Sequence, residues 1–186
     1  GTALNHGGNT SGYTVPSPLA QAKVIEEALK KSKVDPSTIS YIEAHGTGTS
    51  LGDPIEISGL SKVFMKYTDK KGYCSIGSVK SNIGHLEAAA GIASVTKVLL
   101  QMKYRKLVPS IHSKRLNPNI DFSQTPFYVQ QEYSDWLPVL GNLDGERDEK
   151  LRRSGISAFG AGGSNVHLIV EEFLHKDDYN RKPRDE

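Results

Sequence analysis

Three times along this chain a short apolar run breaks into a loop marked by glycine or proline, and then apolar residues resume at helical spacing. That alternation constrains the fold more than any other feature, because strands alternating with helices call for an α/β layered sheet. The first unit is a strand within residues 1–15, entering a loop that holds Gly7, Gly8 and Gly12. Ser17-Pro18 then predicts a helix start, with a capping hydroxyl followed by a proline where a missing N–H costs nothing. Val24, Ile25, Ala28 and Leu29 form its buried stripe, while Lys23, Glu26, Glu27 and Lys30 take the wet face. In the second unit, Ile39 to Ala44 reads as a strand, and Asp53-Pro54 as a second cap-and-proline device. Ile57, Leu60, Val63 and Phe64 face inward from the helix that follows. The third unit has a strand from Cys74 to Val79, a turn from Ser81 to His85, and an alanine-rich helix from Leu86 to about Lys103. Its expected inward side is Ile92, Val95, Leu99 and Met102.

Beyond residue 107 the texture changes. Leu107 to Ile111 and Phe127 to Gln131 are candidate strands, and Gly141 to Lys150 is a charged loop. Ile156 to Phe159 and Val166 to Glu172 predict a hairpin closed through Gly160-Ala161-Gly162-Gly163. The expected divisions are residues 1–115, an α/β body; 116–150, a strand-and-loop extension; 151–172, the glycine-loop hairpin; and 173–186, a linker of mixed charge. The 186 residues suit one domain, and an opening at Gly1 with no initiator Met is expected of a piece of a longer chain. Net charge is +2, from 23 Lys+Arg against 21 Asp+Glu, which argues against a surface devoted to nucleic acid or to an anionic membrane. No apolar run approaches the ~20 residues of a membrane span. The single cysteine, Cys74, excludes an internal disulfide framework and a four-cysteine zinc site, so a cytoplasmic setting is expected.

Chemistry-bearing residues gather in three loops that follow strands, where ligands of open α/β sheets bind. These are His45-Gly46-Thr47-Gly48-Thr49, Lys80-Ser81-Asn82-Ile83-Gly84-His85, and Ser157 to Asn165 with its glycines. Each alone has a plainer reading. A loop histidine beside glycines is often structural, and Lys80 reads equally as a solvated lysine at a strand end. Gly46 to Asp53 lacks the Gly-Lys-Ser/Thr ending of a phosphate loop. The glycine run at 160–163 precedes a strand where a dinucleotide fingerprint requires a helix. His45 and His85 with Asp53 and Glu56 have metal-ligating atoms, but no HxH or HxxxH spacing supports a metal.

Taken together, His45 to Thr49, Gly52-Asp53-Pro54, Lys80 to His85 and Gly160 to Asn165, in that order, are far more specific. In this combination residues 1–172 resemble the C-terminal half of a β-ketoacyl synthase, the ketosynthase domain of modular polyketide synthases. The wording from Tyr13 to Pro16 and from Ser157 to Gly163 looks closer to bacterial assembly lines without built-in acyltransferases. The resemblance implies the C-terminal half of a thiolase-like layered α/β/α/β/α fold, with a mixed sheet flanked by helices. Residues 173–186 would then begin the linker that follows the domain. It also implies decarboxylative Claisen condensation: a cysteine thiolate holds an acyl chain, and a malonyl-type extender on acyl carrier protein loses carbon dioxide and attacks it. Implied partners are the N-terminal half bearing the reactive cysteine, acyl carrier protein, and a second copy in a homodimer. The chain would bind no cofactor or metal of its own, its substrates being carried on phosphopantetheine.

Carried over position by position, the resemblance makes His45 and His85 the donors to the extender's thioester oxygen, with Lys80 supplying positive charge nearby. Thr47 and Thr49 would hydrogen-bond the pantetheine amides, and the Ala161 backbone N–H would serve as an oxyanion donor. Gly160 and Phe159 would line the acyl pocket. Many relatives carry a bulky aromatic where Ala161 stands, which points to a roomier acyl channel here. Glu87 is expected to accept from Lys80, and Asn82 to support the same segment. The family's nucleophilic cysteine has no counterpart in this sequence. Cys74 begins a strand, at the wrong end of the sheet, and reads as a small buried hydrophobe. Two other readings are a ketosynthase that transfers acyl chains without condensing them, and a docking or scaffold module without catalysis.

Overall fold

In a computed structural model, which describes residues 1–8, 10, 12, 15–140 and 150–173, the Ser17-Pro18 start is formed as the sequence suggests. The Ser17 hydroxyl accepts from the Ala20 backbone N–H at 3.3 Å, and Pro18 opens helix α1, Pro18–Ser32. Strand β1 (Thr2–His6) precedes it, and β2 (Tyr41–Glu43) follows. Helix α2 spans Gly52–Phe64, β3 Cys74–Gly77, α3 Lys80–Ile83 and α4 Ala90–Tyr104. Short strands β4 (Lys106–Leu107), β5 (Phe127–Val129), β6 (Ser134–Asp135), β7 (Val139–Leu140) and β8 (Lys150–Leu151) lead to the hairpin of β9 (Arg153–Phe159) and β10 (Ser164–Glu171).

Six strands form one mixed sheet in the order β1-β10-β9-β2-β3-β5. The pairs β9–β2, β2–β3 and β3–β5 are parallel, whereas β10 runs antiparallel to both of its neighbours. The carboxyl ends of β1, β9, β2 and β3 therefore lie at one edge, with β9, β2 and β3 adjacent. That arrangement is what can bring three distant loops to one place.

Alternation along β2 sends its side chains to two different layers. Ile42 enters the larger core with Val24, Ile25, Leu60, Phe64, Cys74 and Phe127, beneath α1 and α2. Tyr41 enters the smaller core with Val98, Met102, Trp136 and Ile156, beneath α4.

Four local expectations are corrected. Asp53 does not cap α2: its carboxylate accepts from the Gly48 N–H at 3.1 Å, and the Thr49 hydroxyl accepts from the Gly52 N–H at 2.9 Å instead. The expected turn at 81–85 is largely helical, since α3 occupies Lys80–Ile83, and the expected helix from Leu86 begins as a single 3-10 turn at Glu87–Ala89. The expected strand from Leu107 to Ile111 is reduced to the two residues of β4. Finally, α4 turns Ala90, Ser94, Lys97, Val98, Gln101 and Met102 inward, leaving Ile92 at 65% and Leu99 at 52% exposure. Lys97 and Gln101 are buried because they find partners: Lys97 the Glu43 carboxylate at 2.9 Å, and Gln101 the Val108 N–H, also at 2.9 Å. Position 13 and most of the expected loop at 141–150, with the linker after 173, lie outside the described residues.

Candidate functional site

A cleft of about 680 Å³ opens at the shared strand edge, lined by His45, His85, Thr47, Thr49, Phe159 and the loop 160–163. The His45 and His85 rings stand edge to face with centroids 5.5 Å apart, and Phe159 lies 5.7 Å from His45 on another side. Both imidazoles are thus within reach of one small ligand.

Backbone contacts settle which ring nitrogen carries the proton in the neutral form. The Glu87 N–H donates to His85 Nδ1 at 2.9 Å, and the Phe159 N–H points to His45 Nδ1 at 3.4 Å. An Nδ1 that accepts has no hydrogen of its own, so each neutral ring holds its proton on Nε2. Neither Nε2–H has a partner within the chain among the described residues. Burial, reinforced by the charges of Lys80 and His85, lowers the His45 pKa to about 4, keeping that ring a neutral donor at ordinary pH.

The His45 loop is held from below. Glu56 on α2 reaches up with both oxygens, accepting from the His45 N–H at 2.8 Å and the Gly46 N–H at 2.9 Å. Gly46 has φ +48, and a Cβ there would lie 2.8 Å from the Ser78 Cβ, so the two histidine segments meet only because this residue has no side chain. Burial pushes the Glu56 carboxyl up to about 7, against the opposing effect of its two N–H donors.

The glycine loop is fixed from the β1 side. The His6 ring contacts the Gly162 carbonyl at 2.9 Å, and the Gly7 N–H donates to the Gly163 carbonyl at 2.7 Å. Within the loop, Gly160 N–H binds the Ser164 carbonyl and Gly163 N–H the Gly160 carbonyl. The Ala161 N–H has no acceptor among the described residues, and Ala161 lines the cleft.

Other expected residues are placed differently. Lys80 lines a neighbouring cleft of about 650 Å³ across the His45 loop, with Asp53, Glu56 and Arg115. Burial lowers its pKa, while Glu43 and Glu56 act the other way. The expected Lys80–Glu87 ion pair is not formed; Glu87 uses its backbone on His85, and the carboxylates acting on Lys80 are Glu43 and Glu56. Asn82 accepts from the Ser81 hydroxyl and lines a groove beside α4, away from the histidines. Cys74 is fully buried in the larger core, and burial raises its thiol pKa, consistent with an inert residue. Sequence reading missed His6, Glu43 and the anchoring role of Glu56. The only sign of the carboxylates was a charge at a position that a strand or helix face would bury. No group of three or more His, Cys, Asp or Glu residues fit to hold a metal occurs among the described residues, and none of their helices is long and apolar enough to cross a membrane.

Residues 1–114 match the model of the β-ketoacyl synthase C-terminal domain. The chain is 62% identical over 183 residues, 98% of its length, to polyketide synthase PksL of Bacillus subtilis, and spans 4% of that protein. It superposes with a TM-score of 0.86 and 50% identity on the oxazolomycin ketosynthase domain OzmH KS7 of Streptomyces albus, covering 93% of this chain and 29% of that one. For the ketosynthase from module 6 of the Bacillus subtilis bacillaene synthase the TM-score is 0.85 and the identity 43%, covering 94% of this chain and 30% of that one. With a family match over most of its length and the thiolase-like layering of these neighbours, the chain belongs to the β-ketoacyl synthase family, as the C-terminal part of a modular polyketide synthase ketosynthase domain.

Proposed function

We propose that this chain supplies the decarboxylating half of a condensing ketosynthase, with His45 and His85 as paired hydrogen-bond donors. The observation that carries the proposal is the pair of rings with centroids 5.5 Å apart, each accepting at Nδ1 and so presenting Nε2–H. The extender, a malonyl group on the phosphopantetheine of acyl carrier protein, loses its carboxylate as carbon dioxide. The bonding electrons move into an enolate whose negative charge rests on the thioester oxygen. Two N–H donors, from half-buried His45 and from His85, which is exposed in this chain, stabilise that oxygen, and loss of one such donor costs on the order of 10²–10³ in rate.

The enolate carbon then attacks the acyl thioester on a cysteine of the N-terminal part, and the thiolate leaves. The Ala161 N–H faces the oxyanion of that second step. Thr47 and Thr49 hold the pantetheine arm, so the reacting carbonyl arrives oriented. Lys80 contributes through its field on His45, from the neighbouring cleft. The exposed face of α4, with Ile92, Leu99 and Tyr104, packs against the rest of the domain, which acts as a homodimer.

The test is His85→Ala in the complete domain, with the two half-reactions read separately. Decarboxylation of malonyl carrier protein should fall ~10²–10³-fold, while acylation of the reactive cysteine persists. Equal loss of both, with the fold intact, would exclude the assignment; wild-type decarboxylation would leave only an acyl-transfer or docking role.

A further inference from the structure

We infer that Lys97, Glu43 and Tyr41 form a positioning network for His85, acting through the backbone of Val79; this rests on His85 being the extender's donor. Glu43 is the last residue of β2, and its side chain points into the α4 layer with 0% exposure. Its Oε2 accepts from the Tyr41 hydroxyl at 2.7 Å and from Lys97 Nζ at 2.9 Å, and Lys97 also donates to the Tyr41 oxygen at 2.8 Å. Its other oxygen, Oε1, accepts from the Val79 N–H at 2.6 Å. Val79 is the residue from which α3 starts.

Among the described residues, no other charged side chain bonds the backbone at the start of α3. The helix has no fully buried residue and no side-chain cap, and only Lys80 and Ser81 at its start are half-buried. Apart from Glu43, the incoming strand end is held by the Ser110 hydroxyl, which accepts from the Ser78 N–H at 3.0 Å, and by the Ala44 N–H, which donates to the Gly77 carbonyl at 2.8 Å. Gly77 leaves room for both anchors: a Cβ there would lie 2.8 Å from Ser110 Oγ and 2.9 Å from Tyr41 Oη. From Val79 the chain runs through one turn of helix to Gly84 and His85.

A buried ion pair is weak evidence for stability, because desolvation offsets most of its attraction. Its placement under this turn has a better account. The Lys97 ammonium supplies the counter-charge that a carboxylate out of water needs, and an ionised oxygen makes the shorter, stronger bond to an N–H. Helix α4 thereby fixes, through one carboxylate, where His85 stands relative to His45. A displacement of about 1 Å at such a site costs on the order of 10² in rate.

Three variants of the complete domain test this: Lys97→Met, Lys97→Met with Glu43→Gln, and Val79→Pro. Val79→Pro removes the N–H at a residue whose φ of −62 suits proline; its ring pushes the Glu43 oxygen off that nitrogen while both charges of the ion pair remain. It therefore keeps the test decisive should Lys97→Met fail to fold. Decarboxylation should fall roughly 10–100-fold in Lys97→Met and in Val79→Pro, with cysteine acylation within about threefold of wild type. The double variant should recover to within about fivefold, because the amide oxygen introduced by Glu43→Gln accepts from the Val79 N–H with no charge to neutralise. Wild-type decarboxylation in Val79→Pro, parallel loss of both half-reactions, or no recovery in the double variant would overturn the inference. His85→Ala separates the two levels: if it decarboxylates like wild type the proposed function fails, and if it is dead while Val79→Pro is active only the network fails.

Discussion

His45 and His85 stand at the ends of neighbouring strands, and each segment hangs from a buried carboxylate, yet the electrical settings differ. Glu56 grips two backbone N–H groups of the His45 loop and has no ion-pair partner among the described residues; burial has raised its pKa to about 7. Glu43 grips one N–H at the root of the His85 segment, and Lys97 lies 2.9 Å from its other oxygen. The first anchor is titratable near neutrality and the second is tied to a cation on another helix. One cleft thus contains a loop whose support depends on pH and a turn whose support depends on packing of α4.

The largest expected effect lies on the paired side. Lys97→Met leaves the Glu43 carboxylate buried without a counter-charge, and should destabilise the complete domain by about 3–5 kcal/mol in denaturant titration. A loss under about 1 kcal/mol would show that water reaches Glu43 and that the two anchors are alike.

On the unpaired side the signature is a slope. A carboxyl raised to about 7 in the fold binds more protons than the unfolded chain between pH 4.5 and 7, so Glu56 makes stability fall as pH rises through that window. His45 and His167, lowered to about 4 and about 3, act in the opposite sense and make stability fall as pH drops below 6.5. Glu56→Gln should remove the first contribution alone. The gap between variant and wild-type stability curves should change by roughly 3 kcal/mol from pH 4 to 8, with the rising acid limb steeper in the variant. Parallel curves would mean that Glu56 carries its charge throughout.

The smallest effect concerns the far end of the His45 loop. Thr49→Val removes the hydroxyl that accepts from the Gly52 N–H and should cost about 1 kcal/mol in thermal unfolding. The same change at Thr47, whose hydroxyl among the described residues meets only that of Thr49 at 3.4 Å, should cost less.

Much of this was legible in sequence where local chemistry decides. Ser17-Pro18 starts a helix by itself, and the stripes of α1 and α2 at 24, 25, 28, 29 and 57, 60, 63, 64 are buried as read. The hairpin through 160–163 needs only its glycines and flanking alternation. Legibility ended where a polar group's partner lies on another element. Lys97 and Gln101 fall on the inward face of α4 because Glu43 and Val108 wait there, whereas periodicity assigned that face to Ile92 and Leu99. Asp53 has the spacing of a cap, but the loop at Gly48 competes for it and wins. The three loops were recognisable as chemistry-bearing, whereas the tautomers, the His6 tether and the two carboxylate anchors depend on strand order in the folded sheet.

The pairing of two Nε2–H donors over one cleft is tested most directly by 15N-resolved NMR of the histidine rings in the complete domain. At pH 8 both His45 and His85 should show a protonated Nε2 and a bare Nδ1, and the His45 ring should stay neutral until the pH approaches about 4. A proton on Nδ1 of either ring, or titration of His45 near 6.5, would contradict it.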